Sequence, residues 1–426
     1  MNTSCGRDTI ACIHVFLDIL KSLFERSDIM QFVNNEKFIC IMERALNLID
    51  PKLISHGKRV AYRLFKSLYP LQIYDDEKLR DICMLGLLHD IGAYKTEDIN
   101  AITNFEMENV WNHPIYGYLF LKYFSPLGKL APVVAFHHAK DNQMTFLSEE
   151  NKMLAKLLKA SDRADILQHF GAEPINFDNT DIDKDDEFNR VFRHTLFTDK
   201  EIDSFLKMIV FSIDFRSPQT MLHTFAASNI AVSLAYLAHA DIKQIERLKS
   251  GALMHDIGKM GTPLHILEGT AAKLSKADMS IMKEHVVLSE TVLKGCVDED
   301  ILNIAINHHE KLNGKGYPKG LSGSTLPFLD RIMAVADVFS AMCVARSYQN
   351  ALPKEKVVQI LNNMKNDNLL DKAIINLAVD NYDKIIKDLD IKSKSIVGAY
   401  EDFMKESHWI HQEIANQRFD IVKDLQ

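Results

Sequence analysis

The stretch SGALMHDIGKMGT, residues 250–262, repeats an earlier one, MLGLLHDIGAYKT, residues 84–96. Each is an apolar run closed by His-Asp-Ile-Gly: His89-Asp90 in the first copy and His255-Asp256 in the second. The repeat extends outward from these two stretches. His113 in WNHPIYGYLF answers His285 in KEHVVLSETVL, and His137-His138 in VVAFHHAKD answers His308-His309 in IAINHHEKL. Asp162 in LKASDRADI answers Asp337 in AVADVFSAM, and an upstream His56 answers His223. The offsets are 223−56 = 167, 255−89 = 166, 285−113 = 172, 308−137 = 171 and 337−162 = 175. One His-Asp or His-His pair arises by chance. Five stations in one order with so little drift indicate an internal duplication, and overlooking such a repeat would mis-assign the whole fold.

The chain has 426 residues, which at roughly 100–200 residues per domain allows two to three domains. An acidic, polar stretch from Phe177 to Glu187 separates the copies and reads as a linker. The division is therefore residues 1–175 for the first domain, 176–200 for the linker and 201–426 for the second domain. Gly 17 and Pro 11 leave few turn punctuators, which disfavours a fold of many short strands. Helical periodicity surrounds the stations. Leu274, Ile281, Leu288 and Val292 share a stripe with His285, Ile301, Ile304 and Ala305 lead to His308, and Leu130, Val133 and Val134 lead to His137. The fold class is all-α, with amphipathic packing helices in the first ~50 residues and from about Lys392, where Ile396, Tyr400, Phe403 and Met404 line one face. These terminal helices are one route to a homodimer.

A net charge of −8 gives no general attraction to polyanions, so neither a nucleic-acid polymer nor an anionic membrane is an expected partner. Cys5, Cys12, Cys40, Cys83, Cys296 and Cys343 show no paired spacing and read as reduced, buried thiols. Asp18 and Lys21 interrupt the apolar stretch near the N-terminus, and no run reaches the length of a membrane span. The expectation is a cytoplasmic protein.

Ten of the seventeen histidines fall into the two station sets, each completed by two aspartates. Aimed into helical cores, so many imidazoles and carboxylates are costly to bury unless a cation holds them. These residues resemble the HD superfamily of metal-dependent phosphohydrolases. From about Asp214 to Ile360 the second half resembles an HD-GYP domain, the bacterial class that hydrolyses cyclic dinucleotides, through His255-Asp256-Ile-Gly-Lys259, His308-His309-Glu-Lys-Leu-Asn-Gly-Lys-Gly316-Tyr317-Pro318 and Ala334-Val-Ala-Asp337. From about Leu53 to Leu167 the first half resembles a plain HD domain without the GYP loop. The tandem order is similar to that of phosphodiesterases for 3′3′-cyclic GMP-AMP.

The resemblance implies that His223, His255, Asp256 and Asp337 hold one divalent cation and that Asp256 bridges to a second held by His285, His308 and His309. Imidazole and carboxylate donors suit iron or manganese, with zinc or nickel as alternatives. A third cation is not expected, because Gln219 stands where some members carry Glu. The implied reaction opens a cyclic dinucleotide, 3′3′-cGAMP first, to a linear one with a 5′ phosphate (5′-pApG). Asp256 and Lys259 are the implied catalytic residues, and Lys259, Gly316, Tyr317, Pro318 and Arg346 are the implied substrate contacts. Gln349 replaces a usual basic residue and Ser340 a frequent Asp. The first half keeps His56, His89, Asp90, His113, His137, His138 and Asp162 as a further metal set, but Ala93 stands where Lys259 stands in the second copy. That half is either a 5′-phosphatase for the linear product, with Lys95 or Arg163 on phosphate, or a structural and regulatory partner. Three other readings stay open: a cyclic di-GMP phosphodiesterase, a non-catalytic module that binds a cyclic dinucleotide, and a dNTP or nucleotide hydrolase of the broader HD kind, against which the GYP loop argues in the second half only. The second reading suits chains that have lost ligands, and the second half has lost none of its seven.

Overall fold

A computed structural model describes residues 33–48, 54–93, 111–170, 182–214, 222–267, 274–343 and 352–420. In chain order the principal helices are α1 (Asn35–Leu46), α2 (His56–Leu68), α3 (Asp76–Leu88), α4 (Asn112–Phe124), α5 (Ala131–Ala135), α6 (Glu149–Phe170) and α7 (Asp199–Asp214). They continue with α8 (His223–Leu237), α9 (Ile242–Met254), α10 (Lys276–Leu293), α11 (Glu299–Ile306), α12 (Phe328–Cys343), α13 (Lys354–Asn366), α14 (Lys372–Asp380) and α15 (Tyr382–Ala415). Among the described residues there is no strand, only an isolated antiparallel bridge between Asn313 and Ser322. The all-α expectation holds. None of the described helices is long and apolar enough to cross a membrane.

Short polar side chains set the helix starts. Asn34, Asp75, Asp241, Ser275, Asp298 and Asp371 each accept a backbone N–H of the first turn they precede. Each cap contributes about 1 kcal/mol and satisfies a donor the helix cannot.

The chain divides into two compact units. One takes its described residues from 33–216, 257–296 and 405–420. Its core is aromatic: Phe38 stacks on Phe205 at 5.4 Å and meets Phe197 edge-on at 5.7 Å, while Phe188 stacks on Phe192 at 5.1 Å. Phe188, Val191 and Phe192 belong to residues 182–200, the later part of the predicted linker. This part is folded. Asp185 accepts the Phe188 N–H at 2.9 Å and the Tyr62 hydroxyl at 2.9 Å, so its acidity caps a turn instead of solvating a tether. The earlier part, residues 176–181, lies outside the described residues.

The other unit takes its described residues from 222–256 and 297–404. Ala227, Ile230, Ala231 and Leu234 of α8 share a core with Ile332, Met333, Val335, Ala336 and Phe339 of α12. Asp330, in the first turn of α12, is 1% exposed and accepts Asn307 Nδ2–H at 2.7 Å. Burial pushes its carboxyl up to about 6. A raised carboxyl means the folded chain holds the proton more tightly than the unfolded one. The associated stability is full below about 4 and lost as pH rises through about 6. Asp330→Asn carries no charge to bury, and its amide can donate to Asn307 Oδ1, which has no hydrogen-bond partner among the described residues. The variant is expected to be more stable than the parent at pH 8, by up to about 2–3 kcal/mol, and no more stable at pH 4. Denaturant melts at the two pH values check this; a gain at pH 4 equal to that at pH 8 would refute it.

Two local expectations are corrected. In α10 the buried face is His285, Val286, Ser289, Val292 and Leu293, whereas Ile281 is 37% exposed and Leu274 precedes the helix. The first two turns, which carry Lys276, Asp278 and Lys283, are exposed or half-buried. Of the described cysteines, all free, Cys83 and Cys296 are buried but Cys40 and Cys343 only half so. Cys5 and Cys12 lie outside the described residues.

Candidate metal centres

The station histidines are aimed by their own helices. Helix α3 ends at Leu88 and α9 at Met254, so each His-Asp pair opens on the last turn. His89 Nδ1 lies 2.8 Å from Gly86 O and His255 Nδ1 2.8 Å from Ala252 O. His137, His285 and His308 repeat the contact with Val134 O at 2.6 Å, Met282 O at 2.5 Å and Ala305 O at 2.7 Å. A carbonyl can only accept, so Nδ1 carries the proton in all five and Nε2 is left with its lone pair, as a metal ligand requires.

In the first unit, the seven residues of the first copy converge. His56 Nε2 lies 3.3 Å from Asp162 Oδ1 and 3.8 Å from Asp90 Oδ2. His89 Nε2 lies 3.4 Å from Asp90 Oδ2, and His113 Nε2 lies 3.6 Å from Asp90 Oδ1. The two oxygens of Asp90 thus face different histidines, the disposition of a carboxylate between two cations. His113, His137 and His138 form one compact donor group, and His56, His89 and Asp162 another. His113 and His138 bring their Nε2 atoms to 3.1 Å. Nε2 of His56, His89 and His137, Asp90 Oδ2 and Asp162 Oδ1 are buried with no hydrogen-bond partner among the described residues. Buried polar atoms are rarely left so, and a divalent cation satisfies such a set. Burial pushes His113 down to about 4 and His138 to about 3, keeping them neutral and ready to ligate. Burial opposes charge on His56 as well, but Asp162 and Asp165 outweigh it and raise that ring to about 10.

A cleft lined by Asn47, Ser55, Lys58, Leu87 and Ala93 reaches His56, His89 and Asp90. Ala93 is 1% exposed and packs with Ile166, so an apolar contact fills the place that Lys259 takes in the other copy. Arg163 is exposed, and Lys95 lies outside the described residues.

In the second unit, His223 Nε2 lies 3.1 Å from Asp337 Oδ1 and 3.8 Å from Asp256 Oδ2. His255 Nε2 lies 3.2 Å from Asp256 Oδ2, and His308 Nε2 lies 3.9 Å from Asp256 Oδ1. His309 Nδ1 lies 3.5 Å from Asp337 Oδ2. Asp256 again divides its oxygens between histidines. Burial holds the His308 ring well below its usual value; burial would raise Asp337, but the hydrogen bond from His223 and nearby histidines hold its carboxyl well below.

The loop after His309 is organised by Glu310, a residue the sequence reading missed. Glu310 is 1% exposed and accepts the N–H groups of Lys319 at 2.7 Å, Gly320 at 3.0 Å and Leu321 at 2.9 Å. A Cβ on Gly316 would sit 2.4 Å from both Glu310 Cα and Lys311 N, so only glycine fits. The Tyr317 ring lies 4.8 Å from that of His309, and Tyr317–Pro318 is a cis peptide. Of the loop lysines, Lys315 and Lys319 are exposed, whereas Lys311 is half-buried and burial lowers its ammonium.

His285 and Lys259 belong to the first unit. His285 is 1% exposed, and Lys259 is half-buried in the short turn Ile257–Gly261. Gly258 donates its N–H to Ser289 Oγ at 2.9 Å, and a Cβ there would lie 2.0 Å from His285 O. Gly92 is seated the same way, 2.2 Å from His113 O. The glycine of His-Asp-Ile-Gly therefore presses the turn onto the backbone of the helix that carries the third station. Arg346, Gln349 and Gln219 lie outside the described residues. Asp165, Arg59 and Ser340 were not read as site residues but touch the site. Asp165 Oδ2 lies 2.8 Å from His56 Nδ1, and Ser340 Oγ 3.1 Å from His223 Nδ1. The sequence signals for Asp165 are its place one helical turn after Asp162 and its match, at the same offset as Asp162 and Asp337, to Ser340, where the family frequently carries Asp.

Family models described as HD domain match residues 53–169 and residues 207–374. Among curated proteins, the chain is 26% identical over 395 residues to 3′3′-cGAMP-specific phosphodiesterase 1 of Vibrio cholerae, covering 81% of this chain and 91% of that protein. It is 33% identical over 149 residues to a cyclic di-GMP phosphodiesterase response regulator of Xanthomonas campestris, covering 34% of this chain and 39% of that protein. Among solved structures, a cyclic GMP-AMP specific phosphodiesterase of V. cholerae aligns with a TM-score of 0.50 at 16% identity, over 83% of this chain and 98% of that one, a likeness of fold. The chain thus carries two HD-type domains, one in each half.

Proposed function

We propose that the chain is a metal-dependent phosphodiesterase that linearises a cyclic dinucleotide, 3′3′-cGAMP to 5′-pApG in preference to cyclic di-GMP. The observation that carries this reading is Asp256. Its carboxylate oxygens lie 3.2 Å from His255 and 3.9 Å from His308, beside a loop pinned by Glu310. The named activities of the relatives support the substrate class. His223, His255, Asp256 and Asp337 hold one divalent cation; His308, His309 and, by analogy with His113 in the first copy, His285 hold another, iron or manganese. When bound, such a pair supplies a nucleophile at neutral pH and stabilises charge on the phosphoryl oxygens. The chain's own residues do the rest. Lys259 binds a non-bridging phosphate oxygen, Tyr317 and Pro318 shape the loop against a base, and Gly316 lets the backbone approach.

The first HD domain, with its full donor set but neither lysine nor GYP loop, removes the 5′ phosphate from the linear product. The cleft that reaches His56, His89 and Asp90 supports this. The test uses the full chain loaded with manganese or iron, with rates for 3′3′-cGAMP, cyclic di-GMP and cyclic di-AMP and the products identified. Hydrolysis of none of the three would sink the phosphodiesterase reading. Asp90→Ala is expected to leave linearisation intact while 5′-pApG accumulates, its dephosphorylation falling by about a hundredfold or more. Unchanged dephosphorylation would remove the second activity.

A further inference from the structure

Five station histidines are oriented by a carbonyl of their own helix, but His56 and His223 are not. Each is the first residue of its helix, α2 or α8, so no helical turn lies behind it to supply that carbonyl. The partner has to come from another element, and here the two copies part. His56 Nδ1 lies 2.8 Å from Asp165 Oδ2 on α6. Asp165 is fully buried, and Arg59 answers its charge, donating Nε–H to Oδ1 at 2.8 Å and to Oδ2 at 3.0 Å. Arg59 is itself 4% exposed and donates Nη1–H to Ile54 O at 2.8 Å. Both Asp165 oxygens are thus engaged away from the donor cluster, so Asp165 acts on the centre through His56 and not as a ligand.

In the second copy both members of this pair are exchanged together. The offset at His56 places Ala226 opposite Arg59 (59 + 167 = 226), and the offset at Asp162 places Ser340 opposite Asp165 (165 + 175 = 340). Ala226 is 1% exposed and Ser340 fully buried. Ser340 donates its hydroxyl to Asp337 O at 2.8 Å, so toward His223 Nδ1–H, 3.1 Å away, it can only accept. One first-residue histidine therefore leans on a carboxylate with a counter-ion, the other on a neutral hydroxyl.

We propose that Asp165, held by Arg59, is the positioning residue of the first metal centre and makes it the tighter of the chain's two centres. A carboxylate accepting from the far ring nitrogen fixes the imidazole and raises the basicity of the ligating nitrogen, and losing such a partner typically weakens metal binding 10–100-fold. The proposal rests on reading both donor sets as metal centres. In the working protein, the first centre keeps its metal when the second exchanges it.

The test titrates manganese into the full chain against a competing chelator, with metal per chain measured by mass spectrometry and bound Mn(II) by electron paramagnetic resonance. An Asp256→Ala background reports the first centre alone, and an Asp90→Ala background the second. The expected result is tighter binding in the first background than in the second. Adding Asp165→Asn weakens the first centre by about 10–100-fold and leaves the second unchanged. Because Asp165→Asn leaves Arg59 buried without its ion-pair partner and can unfold the domain, Arg59→Ala/Asp165→Ser is the second variant. It transplants the neutral pair of the other copy and is expected to bring the first centre's affinity to that of the second. Metal-free melting temperatures run alongside; a residue that only supports the fold lowers them without moving the affinity of the folded protein. A first centre whose affinity stays within twofold in both variants overturns the proposal. A first centre that binds no manganese in the Asp256→Ala background instead overturns the reading beneath it, and the proposal with it.

Discussion

Exchanging Asp256 for Asn is expected to lower cyclic-dinucleotide hydrolysis by on the order of a thousandfold or more. The residue is 5% exposed, with one oxygen facing His255 and His223 and the other facing His308. An amide of the same shape keeps the packing but loses the charge, and its nitrogen has no lone pair to share with a cation. The loss therefore falls on kcat and on metal content together, while the fold stands. Metal content and initial rates on the same preparation check this. A variant that keeps its metals and a tenth of the parent rate would contradict the bridging role. The first centre supplies an internal control, since its own carboxylate, Asp90, is untouched and its metal content should stay constant.

Glu310→Ala is expected to act differently. Here metals stay and the loop is lost. The buried carboxylate accepts three backbone N–H groups, at 2.7, 3.0 and 2.9 Å, and alanine offers no acceptor in its place. Leaving such donors unpaired costs about 1–3 kcal/mol each when they stay buried, and less once the loop opens to water. Opening moves Tyr317 away from the His309 ring, and a misplacement of about 1 Å can cost about a hundredfold in rate. We expect kcat/KM to fall by about that factor, mostly through KM, with stability reduced by about 2–4 kcal/mol. Glu310→Gln falls between, because its NH2 group would face a backbone N–H. Steady-state kinetics and denaturant melts on both variants decide it; a Glu310→Ala protein with parental kcat/KM would mean the loop has no part in catalysis.

What the sequence made legible was chemical identity at fixed spacing. His and Asp at matched stations announce themselves because few other roles require that set, and the capping residues at Asp75, Asp241 and Asp298 mark helix starts by local rules alone. What stayed hidden depends on contacts between distant segments. Asp165 meets His56 across 109 positions, and nothing near either residue encodes the other. Glu310 was read as part of a loop motif, but its role appears only where the chain returns nine to eleven residues later. Ile281 fits the helical stripe of α10 and is still more than a third exposed, because periodicity reports which face is apolar and not how far a neighbour covers it. Acidity misled at residues 182–200, where carboxylates capped a turn around buried Phe188 and Phe192.

The seat made by Gly92 and Gly258 bears on how the two copies diverged. From His-Asp to the next station the chain runs 113−89 = 24 residues in one copy and 285−255 = 30 in the other. Yet the would-be Cβ at Gly92 and that at Gly258 meet the same backbone atoms, the station-three carbonyl and the nitrogen four residues on, at 2.2 and 2.5 Å and at 2.0 and 2.5 Å. Six residues of insertion thus left the docking register untouched. The glycine behaves as a datum point: the segment on its far side differs in length between the two copies, while any side chain at the datum itself would displace the helix that carries the third-station histidine. Among the described glycines these two leave a side chain the least room, and yet they contribute no functional group at all.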